Sequence, residues 1–250
     1  MQIDLNCDLG EGVGNDEAIM PFITSANIAC GFHAGDEFIM RETIRLAKRF
    51  NVNVGAHPSW EDRENFGRKE MNLLAEEAEK IVFYQIELLA KIAKEENVLM
   101  THVKPHGALY NQSARDKDLA KAIARAIRRG EVSSPKLFTK PLILVGLAGS
   151  KLVEAGNNLG LQVAQEGFPD RGYRSDGTLM ERNQNGAIIE SPDKVANHAI
   201  ELIKNGILFG DKVVHVDTLC LHGDHPHAAE NAKLLRNVLE KNGVQIIELK

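Results

Sequence analysis

The first twelve residues, Met1 to Gly12, read M-Q-I-D-L-N-C-D-L-G-E-G and decide the fold. Ile3, Leu5, Cys7 and Leu9 alternate with Asp4, Asn6 and Asp8. Successive side chains of a strand point to opposite faces. One face of this strand is therefore apolar, and the other carries two carboxylates and an amide. An edge strand with its polar face in water would look the same. Later segments argue against that, because several also end in His, Lys, Asp or Glu, then Gly, then a helix. The simplest arrangement gathers those strand ends around one pocket.

Working outward, the spacing predicts a second strand over Ser25 to His33, a helix capped by Asp36 and running to Phe50, and a short strand over Asn51 to His57. A polar loop from Ser59 to Met71 is long for a βα connection, and such loops often carry function. A helix is predicted from about Asn72 to Glu96, a strand over Val98 to Pro105, a helix from about Ala114 to Arg129, and a buried strand over Lys140 to Leu147. A helix from Ser150, a strand over Leu161 to Gly167 and an irregular stretch over 172–190 with hairpin-type turn signals follow. Ser191-Pro192 starts a helix that Gly206 stops. Val213 to His222 reads as the seventh strand, with a helix to Asn242 and a last strand over Val244 to Leu249. About seven strand–helix alternations indicate a parallel sheet with covering helices. Polar strand ends favour a closed barrel over an open sheet, since loops converge at a barrel's C-terminal rim. No Gly-x-Gly-x-x-Gly follows the first strand, which weakens a dinucleotide reading. With no linker or repeat, 250 residues are expected to form one barrel domain over 1–250.

Composition narrows the partners. A formal net charge of −5 without a long basic run argues against nucleic acid or an anionic membrane. No apolar run reaches the ~18 residues of a membrane span, and no leader segment is apparent. Cys7, Cys30 and Cys220 lie in apolar strand-like runs and lack zinc-type spacing, so they are expected to be buried thiols of a reducing cytoplasm.

The strand ends carry the chemistry. Asp8 suits a general base or metal ligand, or a turn-capping residue. His33 and His57, next to Asp8 on adjacent barrel strands, would complete a divalent-metal triad, or would orient loops by hydrogen bonding. Lys104 and His106 sit in V-K-P-H-G-A. An inward lysine is rarely left unpaired. It balances a carboxylate, holds an anion or stabilises an oxyanion. Glu166, Asp170 and Arg171, with Arg174, form a mixed-charge loop suited to a carboxylate or phosphate, or to a solvated ion-pair cluster. His222, Asp224 and His225 close the set. Gly149-Ser150-Lys151 has only the end of a phosphate loop.

The motifs D-L-N-C-D-L-G-E-G (4–12), A-N-I-A-C-G-F-H-A-G-D (26–36), G-A-H-P-S (55–59), F-G-R (66–68), V-K-P-H-G-A-L-Y-N (103–111), E-G-F-P-D-R (166–171) and H-G-D (222–224) occur in order along nearly the whole chain. Together they resemble the lactam-utilisation (LamB/YcsF) family, the A subunits of bacterial ATP-dependent 5-oxoprolinases. The resemblance implies a distorted seven-stranded (β/α) barrel like that of metal-dependent carbohydrate deacetylases. It implies a cytoplasmic complex with subunits B and C that opens the lactam of 5-oxoproline to L-glutamate at the expense of ATP. On that basis Asp8, Lys104 and His106 are the expected catalytic groups. Asn6, Glu166, Arg171, His222 and Asp224 are the expected substrate contacts, with a possible divalent metal on Asp8, His33 and His57. A stand-alone metal-dependent deacetylase or amidohydrolase, and a non-catalytic partner in the complex, are the alternatives. The chain departs from the family pattern at His225-Pro226 and in the 59–65 loop.

Overall fold

A computed structural model describes residues 1–138, 140–181, 183–209, 211–222 and 227–249, with the backbone alone described for His222. The strands are β1 (Gln2–Leu9), β2 (Ser25–Ala29), β3 (Asn53–His57), β4 (Met100–Val103), β5 (Ile143–Leu147), β6 (Gln162–Gly167), β7 (Ile207–Phe209), β8 (Lys212–Val214), β9 (Thr218–His222) and β10 (Gln245–Ile246). The helices are α1 (Asp16–Ile19), α2 (Glu37–Phe50), α3 (Ala75–Glu95), α4 (Gly107–Arg115), α5 (Lys117–Ser133), α6 (Lys151–Asn158), α7 (Pro192–Asn205) and α8 (Ala228–Lys241).

Strands β1 to β6 pair in parallel and in sequence order, β9 pairs with β6, and β9 returns to β1, closing a seven-stranded parallel barrel. Closure leaves none of these seven strands with a free edge. β10 adds to the first residues of β1 through Gln2↔Gln245 and Ile3↔Ile246.

Register decides what the barrel contains, because paired residues share a face. Asp4 lies opposite Thr218, Asn6 opposite Ser25 and Cys220, and Asp8 opposite Asn27. Asn27 continues to Gly55, Gly55 to His102, and His102 to Ile143. Val145 and Leu147 then face Ala164 and Glu166, and Glu166 faces Thr218. The polar face of β1 thus opens into the barrel. Its apolar face (Ile3, Leu5, Cys7, Leu9) packs with helix residues such as Ile44, Ile86, Leu89, Ile123 and Leu235 in the main core. Each such aliphatic side chain gains roughly 1.5–3 kcal/mol on burial. Inside, Ile143, Val145 and Ala164 form a separate apolar cluster on the β5–β6 side.

Local signals behave mostly as expected. Asp36 caps α2 by accepting from the Ile39 amide, and Asn51 ends it in the left-handed region. Differences have physical causes. The predicted helix over 114–129 is two helices. Asp116 ends α4 and its carboxylate accepts from the Asp118 and Leu119 amides to start α5. The predicted strand over Val213 to His222 is divided: β9 begins at Thr218, and β8 pairs antiparallel with β7. A local hairpin closes a short loop, which costs little chain entropy. Over 172–190 only two antiparallel bridges form among the described residues, Arg171↔Ile188 and Tyr173↔Leu179.

Candidate active site

Two groups of buried polar side chains meet at the C-terminal ends of the barrel strands. The first is centred on Lys104, which is 2% exposed. Its Nζ lies 2.8 Å from both Asp8 Oδ1 and Glu166 Oε1, and it donates to Asn6 Oδ1 at 3.2 Å and to Cys220 Sγ at 3.0 Å. Burial opposes the ammonium, but the surrounding negative groups, Asp8 and Glu166 among them, outweigh it and hold Lys104 charged. The network continues downward. Asn6 Nδ2 donates to Glu166 Oε1 and to Thr218 Oγ1, and Asn27 Nδ2 donates to Asn6 Oδ1 and Asp8 Oδ1. Asp4 accepts from Thr24, Ser25 and Thr218, and burial raises its pKa to about 6. His102 lies between Thr101 Oγ1 and Asn27 Oδ1. Burial, then the Lys104 charge, lowers its pKa to about 3, so it is neutral. Its ring fits because β3 has glycine opposite: a Cβ on Gly55 would stand 2.2 Å from the imidazole.

The second group is His33, His57, His106 and Glu11, whose ligating atoms lie within 4.8 Å of one another. Glu11 Oε1 is 3.4 Å from His33 Nε2 and 3.6 Å from His106 Nδ1, and His57 Nε2 is 3.0 Å from His106 Nδ1. Each imidazole has its other nitrogen engaged. His57 Nδ1 is 2.7 Å from the Lys104 carbonyl and His106 Nε2 is 2.9 Å from the Phe66 carbonyl. A carbonyl only accepts, so those nitrogens carry the protons. His33 Nδ1 meets Ser59 Oγ at 2.9 Å, and that hydroxyl donates to the Trp60 carbonyl, so Ser59 accepts from His33. In the neutral rings, three lone pairs then converge on one place beside a carboxylate. His33 Nε2 is buried with no hydrogen bond among the described residues. His57 Nε2 and His106 Nδ1 would repel at 3.0 Å without a proton or cation between them. Burial holds the His33 and His106 pKa values down, that of His106 to about 3, so both rings stay neutral.

These donors fit a divalent metal. Three imidazoles and one carboxylate suit a borderline ion such as zinc, and hydrogen bonds on the outer nitrogens are what metal-bound histidines use to fix tautomer and direction. Three of the separations bracket the roughly 3.4 Å edge of a tetrahedron with 2.0–2.1 Å bonds.

The 59–71 loop supports this group. Trp60 is buried and donates to Gln112 Oε1 at 2.7 Å. The Phe66 ring stands edge-on to His33 and His106. Gly67 has φ +66°, and a Cβ there would lie 2.9 Å from both His33 and His106.

Of the residues singled out by sequence, Asn6, Asp8, Lys104 and Glu166 form one network, and His33, His57 and His106 the other. Asp8 joins the two, with Oδ2 3.4 Å from His57 Nε2. The set within ligating reach includes Glu11 and His106 rather than Asp8. Glu11 has a sequence signal: Gly10 and Gly12, with φ of +71° and +78°, turn the chain back over the strand end. Arg171 donates to the Ala187 and Met180 carbonyls and so holds the 172–190 segment. Asp224, His225 and Pro226 lie outside the described residues, as does the side chain of His222. Sequence reasoning also missed Asn27, Ser59 and Tyr110. Cys7 and Cys30 pack as core thiols, whereas Cys220 faces the barrel interior beside Lys104.

A barrel with this polar mouth defines the class of an α/β-barrel protein with a site at its C-terminal rim. The LamB/YcsF family model matches residues 3–250, and the chain belongs to that family. A relative from Pyrococcus furiosus, named as the A subunit of 5-oxoprolinase, is 45% identical, over 100% of this chain and 98% of its own length. One of the same name from Bacillus licheniformis is 46% identical over 98% and 97%. The solved lactam utilization protein from Thermus thermophilus superimposes with a TM-score of 0.88 at 40% identity, covering both chains fully. A peptidoglycan deacetylase from Bacillus subtilis shares the fold alone, with a TM-score of 0.50 at 13% identity over 99% of this chain and 87% of its own.

Proposed function

We propose that this chain, as one (β/α)-barrel domain over 1–250, is the A component of a cytoplasmic ATP-dependent 5-oxoprolinase that works with subunits B and C. The observation that carries this reading is the buried Lys104 ammonium held between Asp8 and Glu166, next to the Glu11–histidine group, in a chain of this family. A five-membered lactam is an unreactive amide. Transfer of the ATP γ-phosphoryl to its carbonyl oxygen releases ADP and makes the carbon electrophilic. Water then adds, the C–N bond breaks, the ring nitrogen takes a proton, and phosphate and L-glutamate leave. ATP is supplied with the partner subunits, since this chain has no complete phosphate loop.

The residues divide the steps between them. Lys104 places a fixed positive charge against the carbonyl or phosphate oxygens as negative charge develops there, where low dielectric makes it most effective. Asp8 accepts the proton of the attacking water and passes it to the leaving nitrogen. Glu166 and Asn6 orient the substrate around Lys104. His222 and Asp224 are further proposed substrate contacts, while Arg171, engaged by the Ala187 and Met180 carbonyls, holds the 172–190 segment in place. His33, His57, His106 and Glu11 would hold a divalent metal, which would polarise an oxygen or lower the pKa of water when bound. His106, directed at that group by its bond to Phe66, is a ligand in this reading and leaves the proton transfers to Asp8.

The test is glutamate release from 5-oxoproline by the chain alone, with the partner subunits, with and without ATP, and with Lys104→Ala in the complex. Activity that needs ATP and partners and collapses in the variant supports the proposal. The histidine–carboxylate group favours one second reading, a stand-alone metal-dependent amidohydrolase. That reading predicts metal-dependent deacetylation of a small amide by the chain alone, with a silent complex.

A further inference from the structure

His57, Pro58 and Ser59 are consecutive, and together they engage all three histidines of the second group. His57 is one of them. The Pro58 carbonyl accepts from the His106 amide at 2.8 Å, and Ser59 Oγ accepts from His33 Nδ1 at 2.9 Å. The group that fixes the end of this segment lies outside the barrel, on α3. Gln85, halfway along that helix, is fully buried. Its Oε1 accepts from the Ser59 amide at 3.0 Å, and its Nε2 donates to the Ser59 carbonyl at 2.9 Å and to the Ile81 carbonyl at 3.2 Å. Carbonyls only accept, so a single orientation of this side-chain amide satisfies all three bonds. Gln112 of α4 pairs in the same way with Met71 at the far end of the loop. Its Oε1 accepts from the Met71 amide at 3.3 Å and its Nε2 donates to the Met71 carbonyl at 3.0 Å.

Burying an amide is unfavourable unless it is bonded, and the neighbours of Gln85 on α3, Val82, Ile86 and Leu89, are plain core residues. What the glutamine adds is direction. With both backbone groups of Ser59 held, its hydroxyl has one place, donating to the Trp60 carbonyl at 2.8 Å and accepting from His33. The His33 ring is then fixed with its proton on Nδ1, and its Nε2 lone pair faces Glu11. We infer that Gln85 is a positioning residue for the metal-binding group, setting the tautomer and direction of His33 through Ser59. A bond on the outer nitrogen is what orients a histidine ligand. Here that bond is itself anchored one residue further out, on a helix of 21 residues. This inference rests on the Glu11–histidine group holding a metal, and not on the lactam reaction.

The test measures zinc affinity of the full chain by competition with a chelator, for wild type, Gln85→Met, Ser59→Ala and the double variant. Nitrogen NMR shifts of the His33 ring are recorded on the metal-free proteins. Gln85→Met is expected to weaken zinc binding about tenfold and to turn His33 from one tautomer into a mixture. On top of Ser59→Ala the same change is expected to cost less than about twofold, because the route is already cut. Gln112→Met, which removes the matching bonds at the far end of the loop, is expected to cost less than about threefold. Gln85→Asn keeps an amide one methylene short of Ser59 and replaces Gln85→Met if that variant does not fold, with the same non-additivity expected. A merely structural Gln85 would lower the unfolding midpoint and add in full to Ser59→Ala. That result, unchanged zinc binding in Gln85→Met, or an equal loss in Gln112→Met, overturns the assignment. If wild type binds no zinc, the metal reading falls and the ring shifts decide alone. A tautomer mixture in Gln85→Met then supports the hold of Gln85 on His33, and an unchanged ring overturns it.

Discussion

Lys104 and the three histidines lie side by side, but their charges and lone pairs are completed in opposite ways. Around Lys104 the protein supplies both signs: one ammonium, two carboxylates, and the amides of Asn6 and Asn27 to bridge them. Around His33, His57 and His106 it supplies converging acceptors, and it directs each ring by a bond on its far side. A group closed on itself is preorganised charge. A group of converging lone pairs is a site completed by something the chain does not contain.

The contrast is broken most severely at Lys104. Lys104→Met leaves Asp8 and Glu166 buried without a counter-charge, which costs about 3–5 kcal/mol; denaturant unfolding should register it, together with loss of activity in the complex. A preserved midpoint would show the network to be more hydrated than its burial implies. The histidine side responds instead to an added ion. Zinc or manganese at about 100 times its dissociation constant should stabilise wild type by about 2.7 kcal/mol. Glu11→Gln should retain only a fraction of that gain, and Lys104→Met should still show it. Equal gains in wild type and Glu11→Gln would remove Glu11 from the ligand set.

Smaller effects sharpen the picture. Ser59→Ala removes the acceptor that turns His33 Nε2 inward, and metal affinity measured by competition with a chelator should fall at least about tenfold. Acid acts on the buried groups in opposite directions. His33, His102 and His106 have folded pKa values below their unfolded value near 6.5, so the unfolded chain takes up protons first as pH falls. Their contribution is complete above about pH 6.5 and falls as pH drops, for His102 and His106 down to about pH 3. Asp4, raised to about 6, works the other way between about pH 6 and 4. With three protons against one, metal-free protein should lose up to roughly 3 kcal/mol of stability per pH unit in that window. Bound metal should steepen the loss, because protons compete for His33 and His106. A flat pH profile of unfolding would contradict the neutral buried histidines.

The sequence by itself determined the alternation that makes β1 amphipathic, the strand–helix rhythm of a parallel barrel, and the residue types at the strand ends. Those signals are local: a period of two, a capping Asp36, a glycine soon after a functional strand. It also brought Asp8, His33, His57, Lys104, His106 and Glu166 to one rim, because parallel strands end on the same side. Only the tertiary structure decided how those residues divide. Register set Asn6 opposite Cys220 and Gly55 opposite His102, and a one-residue shift would have turned either side chain to the helices. The folding of Gly10–Glu11–Gly12 and of the 59–71 loop over the strand ends put Glu11 and Ser59 against the histidines. It also put Tyr110 beside Glu166, and left Arg171 bonded to backbone carbonyls. Such contacts join residues far apart in the chain, through loops without a repeating pattern, so no periodicity announces them.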